Sequence, residues 1–265
     1  MEASDKGQVS GSAADVYETF FVPALFGAWA APVLDRAAPP KGGALLDLAC
    51  GTGLLARTAQ QRMGPGAKIT GLDRNPGMLA VAKREAPDID WREGMAERLP
   101  FADASFDAVV SNFGLMFFED RNAALEEVYR VLRPDGRMVI AVWGSLEETP
   151  GYAAMVALLE RLFGREIADA LRAPYNLGDR ATLMELAVAA ELPSAEIETL
   201  AGEACFPSLD AWVHTDVKGW TLADMIDEAQ FQTLKQEAAT ALAEFVRSDG
   251  TVRFAAPAHL LTLTK

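Results

Sequence analysis

Histidine, cysteine and positive charge are scarce in this chain, and each shortage excludes something. The 265 residues hold two histidines, His214 and His259, and two cysteines, Cys50 and Cys205. No cluster has metal-ligand spacing, and "FFED" (117–120) and "DEAQ" (227–230) read as solvated helix faces, so no metal is expected. Each cysteine sits inside an apolar segment and reads as a packing residue. With no disulfide framework, the compartment that fits is the reducing cytoplasm. Lysine and arginine number 24 against 38 acids, a net charge of −14. A surface of that sign repels polyanions, so nucleic acid is not the expected partner.

Long apolar runs are missing too. The N-terminal "MEASDKGQVSGSAADVYE" lacks the apolar centre of a signal peptide. The longest apolar stretch, "FFVPALFGAWAAPVL" (20–34), is interrupted by Pro23 and Pro32 and reads as too short to span a bilayer. No membrane insertion is therefore expected. No repeat of fixed period occurs. Half of the residues are hydrophobic, enough to bury a sizeable core in one large domain with or without a cap.

What is present is an alternation. After a lead expected to be disordered over residues 1–12, a helical pattern carrying Tyr17, Phe20, Phe21, Phe26 and Trp29 covers 13–30, a candidate lid. Beyond the linker "APPKGG", short apolar strands are expected at 44–49, 68–73, 89–94, 106–113 and 137–143. Helices are expected between them at 54–63, 76–86 and 121–132, the last stopped by "RPDG". Such alternation calls for a parallel sheet covered on both faces. From 146 to 178 two helical stretches and no strand suggest a cap over the strand ends. A helix at 180–192, a strand at 195–206, a helical segment at 208–246 and a long strand at 251–264 close the chain. Two late strands joined by a helical excursion can end such a sheet with one antiparallel partner. The reading is one domain over 13–265, with its core at about 40–145 and 179–265.

The most informative stretch is "LLDLACGTGLLA" (45–56). Gly51 and Gly53 could simply allow a tight strand-to-helix turn. A nucleoside triphosphate is excluded, because no Lys-Ser/Thr pair follows the glycines. A dinucleotide has support: Gly51, Gly53 and Ala56 fit G-x-G-x-x-A, and Asp73 follows at a distance suited to a ribose. Against it, Asp47 lies in the approach to the turn, where a carboxylate would repel a pyrophosphate but could help hold an ammonium group.

Downstream, five elements stand in order: "DLACGTG", "GLDRNPGML", "EGMAERLPF", "FDAVVSNF" and "VLRPDGR". On these motifs, over about residues 40–145, the chain resembles the class I S-adenosylmethionine-dependent methyltransferases. The likeness is to the small-molecule type 11 group that includes the ubiquinone/menaquinone methyltransferases. It implies a Rossmann-like, doubly wound α/β fold. Its mostly parallel seven-stranded sheet would have an antiparallel last strand, plus the helical cap at about 146–178. It implies S-adenosylmethionine as cofactor and S-adenosylhomocysteine as product. Ala49 and Gly51 would then bring backbone close to the methionine half, and Asp73, with Arg74 beside it, would take the ribose hydroxyls. Met78 would pack near the adenine, although its helix core explains it equally. Where the family usually has Asp, this chain has Met95, so the adenine would be read by the Ala96 N–H with Met95 against the ring. The Asn112 carbonyl would hold the ammonium, and Tyr17 would reach the carboxylate or else pack in the lid helix.

Methyl transfer is an in-line displacement, so alignment and exclusion of water come first. A base is needed only for a nucleophile that carries a proton of high pKa, and His214, in the helical excursion, is the candidate. Dense aromatic and thioether residues, with Trp29, Phe113, Met116 and His214 as candidate pocket residues, favour a small hydrophobic or aromatic acceptor. A monomer or homodimer is expected. An NAD-dependent oxidoreductase and a non-catalytic S-adenosylmethionine-binding protein stay open as alternatives.

Overall fold

The computed structural model describes residues 11–219 and 221–265. The chain enters through α1 (Gly11–Val16), ten residues of π-helix (Tyr17–Phe26) and a 3₁₀ turn (Gly27–Trp29), and leaves in α2 (Ala30–Ala37). The expected lead falls, up to Ser10, outside the described residues, and Gly11 already begins the helix.

The prolines do not break this helix as the sequence suggested. A proline in an α-turn clashes with the carbonyl four residues back. The wider π-turn at Pro23 avoids that contact, and the Gly27 N–H bonds Val22 O five residues back. The result is one helix of 25 residues, Ala13–Ala37, long and apolar enough by length and composition to cross a membrane. Its residues Phe21, Phe26, Trp29, Val33 and Leu34 are instead buried against the rest of the chain.

Five strands run parallel: β1 (Ala44–Leu48), β2 (Lys68–Asp73), β3 (Asp90–Glu93), β4 (Phe106–Asn112) and β5 (Leu132–Trp143). They alternate with α3 (Leu54–Met63), α4 (Pro76–Glu85) and α5 (Arg121–Val131). Local signals start two of these helices: the Asn75 side chain caps α4 ahead of Pro76, and Asp120 caps α5. Every residue of β1 is buried, as a strand covered on both faces requires. β5 begins earlier than expected. "RPDG" lies within it as an irregularity opposite Phe106–Ala108, with Asp135 at φ 64°.

The helices α6 (Pro150–Phe163) and α7 (Arg165–Arg172) follow, then α8 (Arg180–Ala189). Next come β6 (Glu196–Leu200), β7 (Glu203–Phe206), α9 (Leu209–Lys218), α10 (Glu228–Ala241), β8 (Val252–Ala255) and β9 (Ala258–Thr264). The main sheet has the order β3-β2-β1-β4-β5-β9-β6, with β9 antiparallel to both of its neighbours. The expected α/β architecture, seven strands with the final strand antiparallel, is therefore observed.

The two late strands are each divided, where the sequence reading has each continuous. β6 and β9 stay in the main sheet, while β7 and β8 pair as a separate antiparallel ribbon. The segments cross between the two sheets, where the Ala256 N–H bonds Gly202 O at 2.9 Å. A Cβ at Gly202 would lie 2.4 Å from Ala256 O and 2.3 Å from the Trp29 ring, so only glycine passes. Pro257, next along, has no N–H to continue a ladder. The ribbon, α6, α9 and α10 thus form a second packed layer around Trp212, Phe206, Phe254 and Tyr152, larger than the cap expected at 146–178.

Candidate active site

The chain winds outward from β1 to β2 and β3, then returns to place β4 on the other side of β1. At that reversal, beyond the carboxyl ends of the strands, a doubly wound sheet leaves a crevice. A cleft of about 900 Å³, open solvent at its mouth included, lies there. The β1–α3 turn contributes Ala49 and Gly51, and the end of β2 contributes Asp73, Arg74 and Asn75. Met78 comes from α4, Met95 and Ala96 from the loop after β3, Asn112 and Phe113 from the end of β4, and Tyr17 and Phe26 from the π-helix.

The turn is built by close approach. Ala49, Gly51 and Gly53 all have positive φ, at 54°, 54° and 86°. A Cβ at Gly51 would meet nothing, because that face borders the cleft. The Gly51 N–H instead donates to Asp73 Oδ2 at 2.8 Å, and the Asn75 N–H to Oδ1 at 2.8 Å. Burial pushes the Asp73 carboxyl up, and these donors pull against that shift. The Arg74 N–H also helps to hold the carboxylate, and its oxygens keep lone-pair capacity beyond these donors. Asn112 Oδ1 is buried without a hydrogen-bond partner at the opposite wall.

Asp47 does something else. It is 1% exposed, does not line the cleft, and accepts the Ala56 N–H at 2.9 Å. The N-cap of α3 is Gly53, which has no side chain, so Asp47 caps the first turn of that helix from β1. Burial pushes its carboxyl up to about 8, with the Asp73 charge adding to the shift. The expectation that Asp47 faces an ammonium group is corrected accordingly.

Three of the four expected pocket residues also lie elsewhere. Trp29 is buried edge-on to Phe113 and Trp143, behind the cleft wall, and Met116 is buried beneath it. His214 on α9 meets Phe20 and Phe231 edge-on and lines no part of the cleft, so it does not serve as base there. His259 bridges Thr199 Oγ1 and Gly178 O at 2.8 and 2.9 Å. Phe113 does line the cleft and stacks on Trp143 at 3.7 Å. Asn75 and Glu97 are cleft residues that sequence reasoning missed. For Asn75 the signal was available, since Asn before Pro marks a helix start.

Tyr17 stacks on Phe26 at 5.1 Å, and its hydroxyl is raised by burial and by the nearby Asp73. Its neighbour Glu18 pairs with Arg57 of α3 at 2.6 Å, which ties the π-helix to the glycine turn. Arg74 reaches Glu119 at 3.1 Å. Among the described residues no group of three metal-ligating side chains gathers.

A family model described as a methyltransferase domain matches residues 46–140. The chain is 49% identical over 92 residues to a demethylmenaquinone methyltransferase from Chlorobaculum parvum, a match covering 35% of this chain and 37% of that relative. It is 30% identical over 206 residues to the chloroplastic 2-phytyl-1,4-beta-naphthoquinone methyltransferase of Arabidopsis thaliana, covering 75% and 76%. Among solved structures, it is similar in fold to a phosphoethanolamine N-methyltransferase 2 of Haemonchus contortus in complex with S-adenosylhomocysteine. The TM-score is 0.63 at 19% identity, over 98% of this chain and 59% of that one.

Proposed function

The chain belongs to the class I S-adenosylmethionine-dependent methyltransferases of the type 11 group, and from that premise we propose that its cleft binds S-adenosylmethionine for methylation of an aromatic, quinone-type acceptor. The observation that carries the reading is Asp73, a buried carboxylate fixed by two backbone N–H groups at the strand-order reversal. Its remaining lone pairs suit two vicinal hydroxyls, as on a ribose. The names of the relatives and the aromatic wall of Phe26 and Phe113 support the acceptor class.

The residues present fit the cofactor. Asn112, whose Oδ1 is a buried acceptor without a donor, suits the ammonium group. Gly51 and Ala49 leave backbone at the methionine end, Met78 and Ala96 wall the adenine end, and Arg74 lies beside the ribose position. When bound, S-adenosylmethionine supplies a sulfonium-bound methyl group that an incoming nucleophile can displace in line. The chain's own work is alignment and exclusion of water, by Tyr17, Phe26 and Phe113 over the cleft. Residues 13–30 act as the lid, because Tyr17 and Phe26 wall the cleft and have to part for exchange, whereas no residue of 146–178 lines it.

Met95 is 42% exposed at the cleft mouth, so a shorter carboxylate is admitted there without a clash. Met95→Asp supplies an acceptor for the adenine amine and is expected to tighten S-adenosylmethionine binding by about 0.5–1.5 kcal/mol. Weaker binding by calorimetry would mean that the thioether packs against the ring.

The functional reading is tested by incubating the chain with methyl-tritiated S-adenosylmethionine and a demethylated naphthohydroquinone. Label transferred to the naphthalene product is expected. Cofactor binding with no transfer to any quinol or phenol would favour the non-catalytic alternative.

A further inference from the structure

A second, smaller cavity lies between the π-helix and the cap. Phe21, Leu25, Trp143, Tyr152, Tyr175 and Asp216 are among its walls. Asp216 is 2% exposed on α9, between Thr215 and Val217, which are fully buried. A carboxylate in such a place is costly unless its oxygens are matched, and a leucine would serve a core better. Here the matching is half made. The Tyr152 hydroxyl donates to Oδ1 at 3.1 Å, whereas Oδ2 is buried with no hydrogen-bond partner. The Trp212 indole N–H, one turn back on the same helix, comes near both the Asp216 carboxyl and the Tyr152 hydroxyl, yet its geometry falls short of a full hydrogen bond to either.

The partition between this cavity and the cofactor cleft is made of packed rings, two deep. Trp143 stacks on Phe113 at 3.7 Å, and Phe21 packs on Tyr17 and Phe26 at 5.8 and 6.0 Å. Phe113, Tyr17 and Phe26 face the cleft, while Trp143 and Phe21 face the cavity. Measured as the cleft is, with open solvent included, its volume is about 370 Å³, and only a small part of that would admit even a water. Phe21 and Leu25 both lie on the π-helix, so entry of a ring requires that segment to shift.

We propose that this cavity is the acceptor's subsite, and that Asp216 Oδ2 receives a ring hydroxyl of the acceptor while Tyr152 holds the carboxylate in place. The inference rests on the methyltransferase reading above. The hydroxyl proton passes to Oδ2, and the electron pair of the broken O–H bond stays on the acceptor, which becomes a phenolate and hence a stronger nucleophile at oxygen or at the neighbouring ring carbons. A carbon that takes the methyl group then loses its own C–H proton to solvent, and that bond's electron pair restores the aromatic ring. Burial pushes the Asp216 carboxyl up to about 8, a basicity suited to a phenolic proton near neutral pH. The titratable groups facing it are Tyr152 from α6 and Tyr175 from the turn after α7, both raised by burial first and by the Asp216 charge second. The π-helix offers Phe21 and Leu25, α7 Ala170 and Leu171, and the 221–224 turn Leu222, none of them charged.

The test compares wild type, Asp216→Asn and Tyr152→Phe in methyl transfer to 1,4-dihydroxynaphthalene across pH 6–9.5, with S-adenosylhomocysteine affinity measured on each. Wild-type kcat should rise with pH and level off above about 8, because the carboxylate form is the active one. Asp216→Asn should lose a factor of about 10²–10⁴ in kcat and the pH limb with it. Its S-adenosylhomocysteine affinity should stay within a factor of about two, since Asp216 lies outside the cofactor cleft. Tyr152→Phe should keep the limb with a smaller loss. A limb preserved in Asp216→Asn, or kcat within threefold of wild type, overturns the proposal and leaves the methyltransferase reading standing. No transfer by wild type overturns that reading, and the subsite with it. Should Asp216→Asn fail to fold, the wild-type profile decides: a flat one overturns the proposal.

Discussion

Asp73→Ala is expected to weaken S-adenosylmethionine binding by about 1.5–3 kcal/mol, through two lost charge-assisted hydrogen bonds to the ribose. The same substitution removes the acceptor for the Gly51 and Asn75 N–H groups. Asp73 is therefore both ligand contact and support: it draws the glycine turn and the start of α4 onto one carboxylate. Leaving a buried donor unpaired costs about 1–3 kcal/mol, so the variant should also lose stability in denaturant titration. The two effects separate by experiment, because affinity is read well below the melting temperature. Unchanged calorimetric affinity in a folded Asp73→Ala chain would remove Asp73 from the ribose site.

Gly53→Ala carries the largest expected loss of stability. The added Cβ would stand 2.3 Å from Trp91 Cη2 and 3.0 Å from Cζ2. The indole cannot retreat easily, since Gly71 lies against the ring so closely that a Cβ there would also come within 2.3 Å of it. Its Nε1 is also tied to Ala86 O at 2.8 Å. Overpacking costs about 1–3 kcal/mol, and a left-handed alanine at φ 86° adds about 1 kcal/mol or more. A total of about 2–4 kcal/mol should appear as a lower urea midpoint with little change in m. A midpoint within experimental error of wild type would mean that β3 shifts to make room, contrary to this packing.

These two residues also show how far the sequence can be read. Gly51, Gly53 and Asp73 are legible because backbone approach and bidentate recognition each demand one residue type, so the requirement is written in one letter. The parallel strands are legible as short apolar runs closed by turn residues. The division of the late strands is signalled only by Gly202 and Pro257, which fit a bulge as well as a break, and the crossing of the two segments in space decides between them. Asp47 precedes the glycine turn in sequence, yet its carboxyl is spent on the Ala56 N–H, a partner fixed only when β1 and α3 pack. His214 is the scarce base of the sequence, but a residue two positions along a helix points to nearly the opposite side. Asp216 is that residue, and it lines the cavity that His214 does not. A single aspartate in an acid-rich chain gives no signal of its own until its burial is known.

The claim on which the rest depends is that the glycine turn serves an adenosyl group without a second nucleotide. Isothermal titration of the purified chain with S-adenosylhomocysteine, and separately with NADH under the same conditions, tests it most directly. The account predicts saturable binding of S-adenosylhomocysteine at one site per chain, lost or much weakened in Asp73→Ala, and no measurable heat from NADH. NADH binding more tightly than S-adenosylhomocysteine would contradict it.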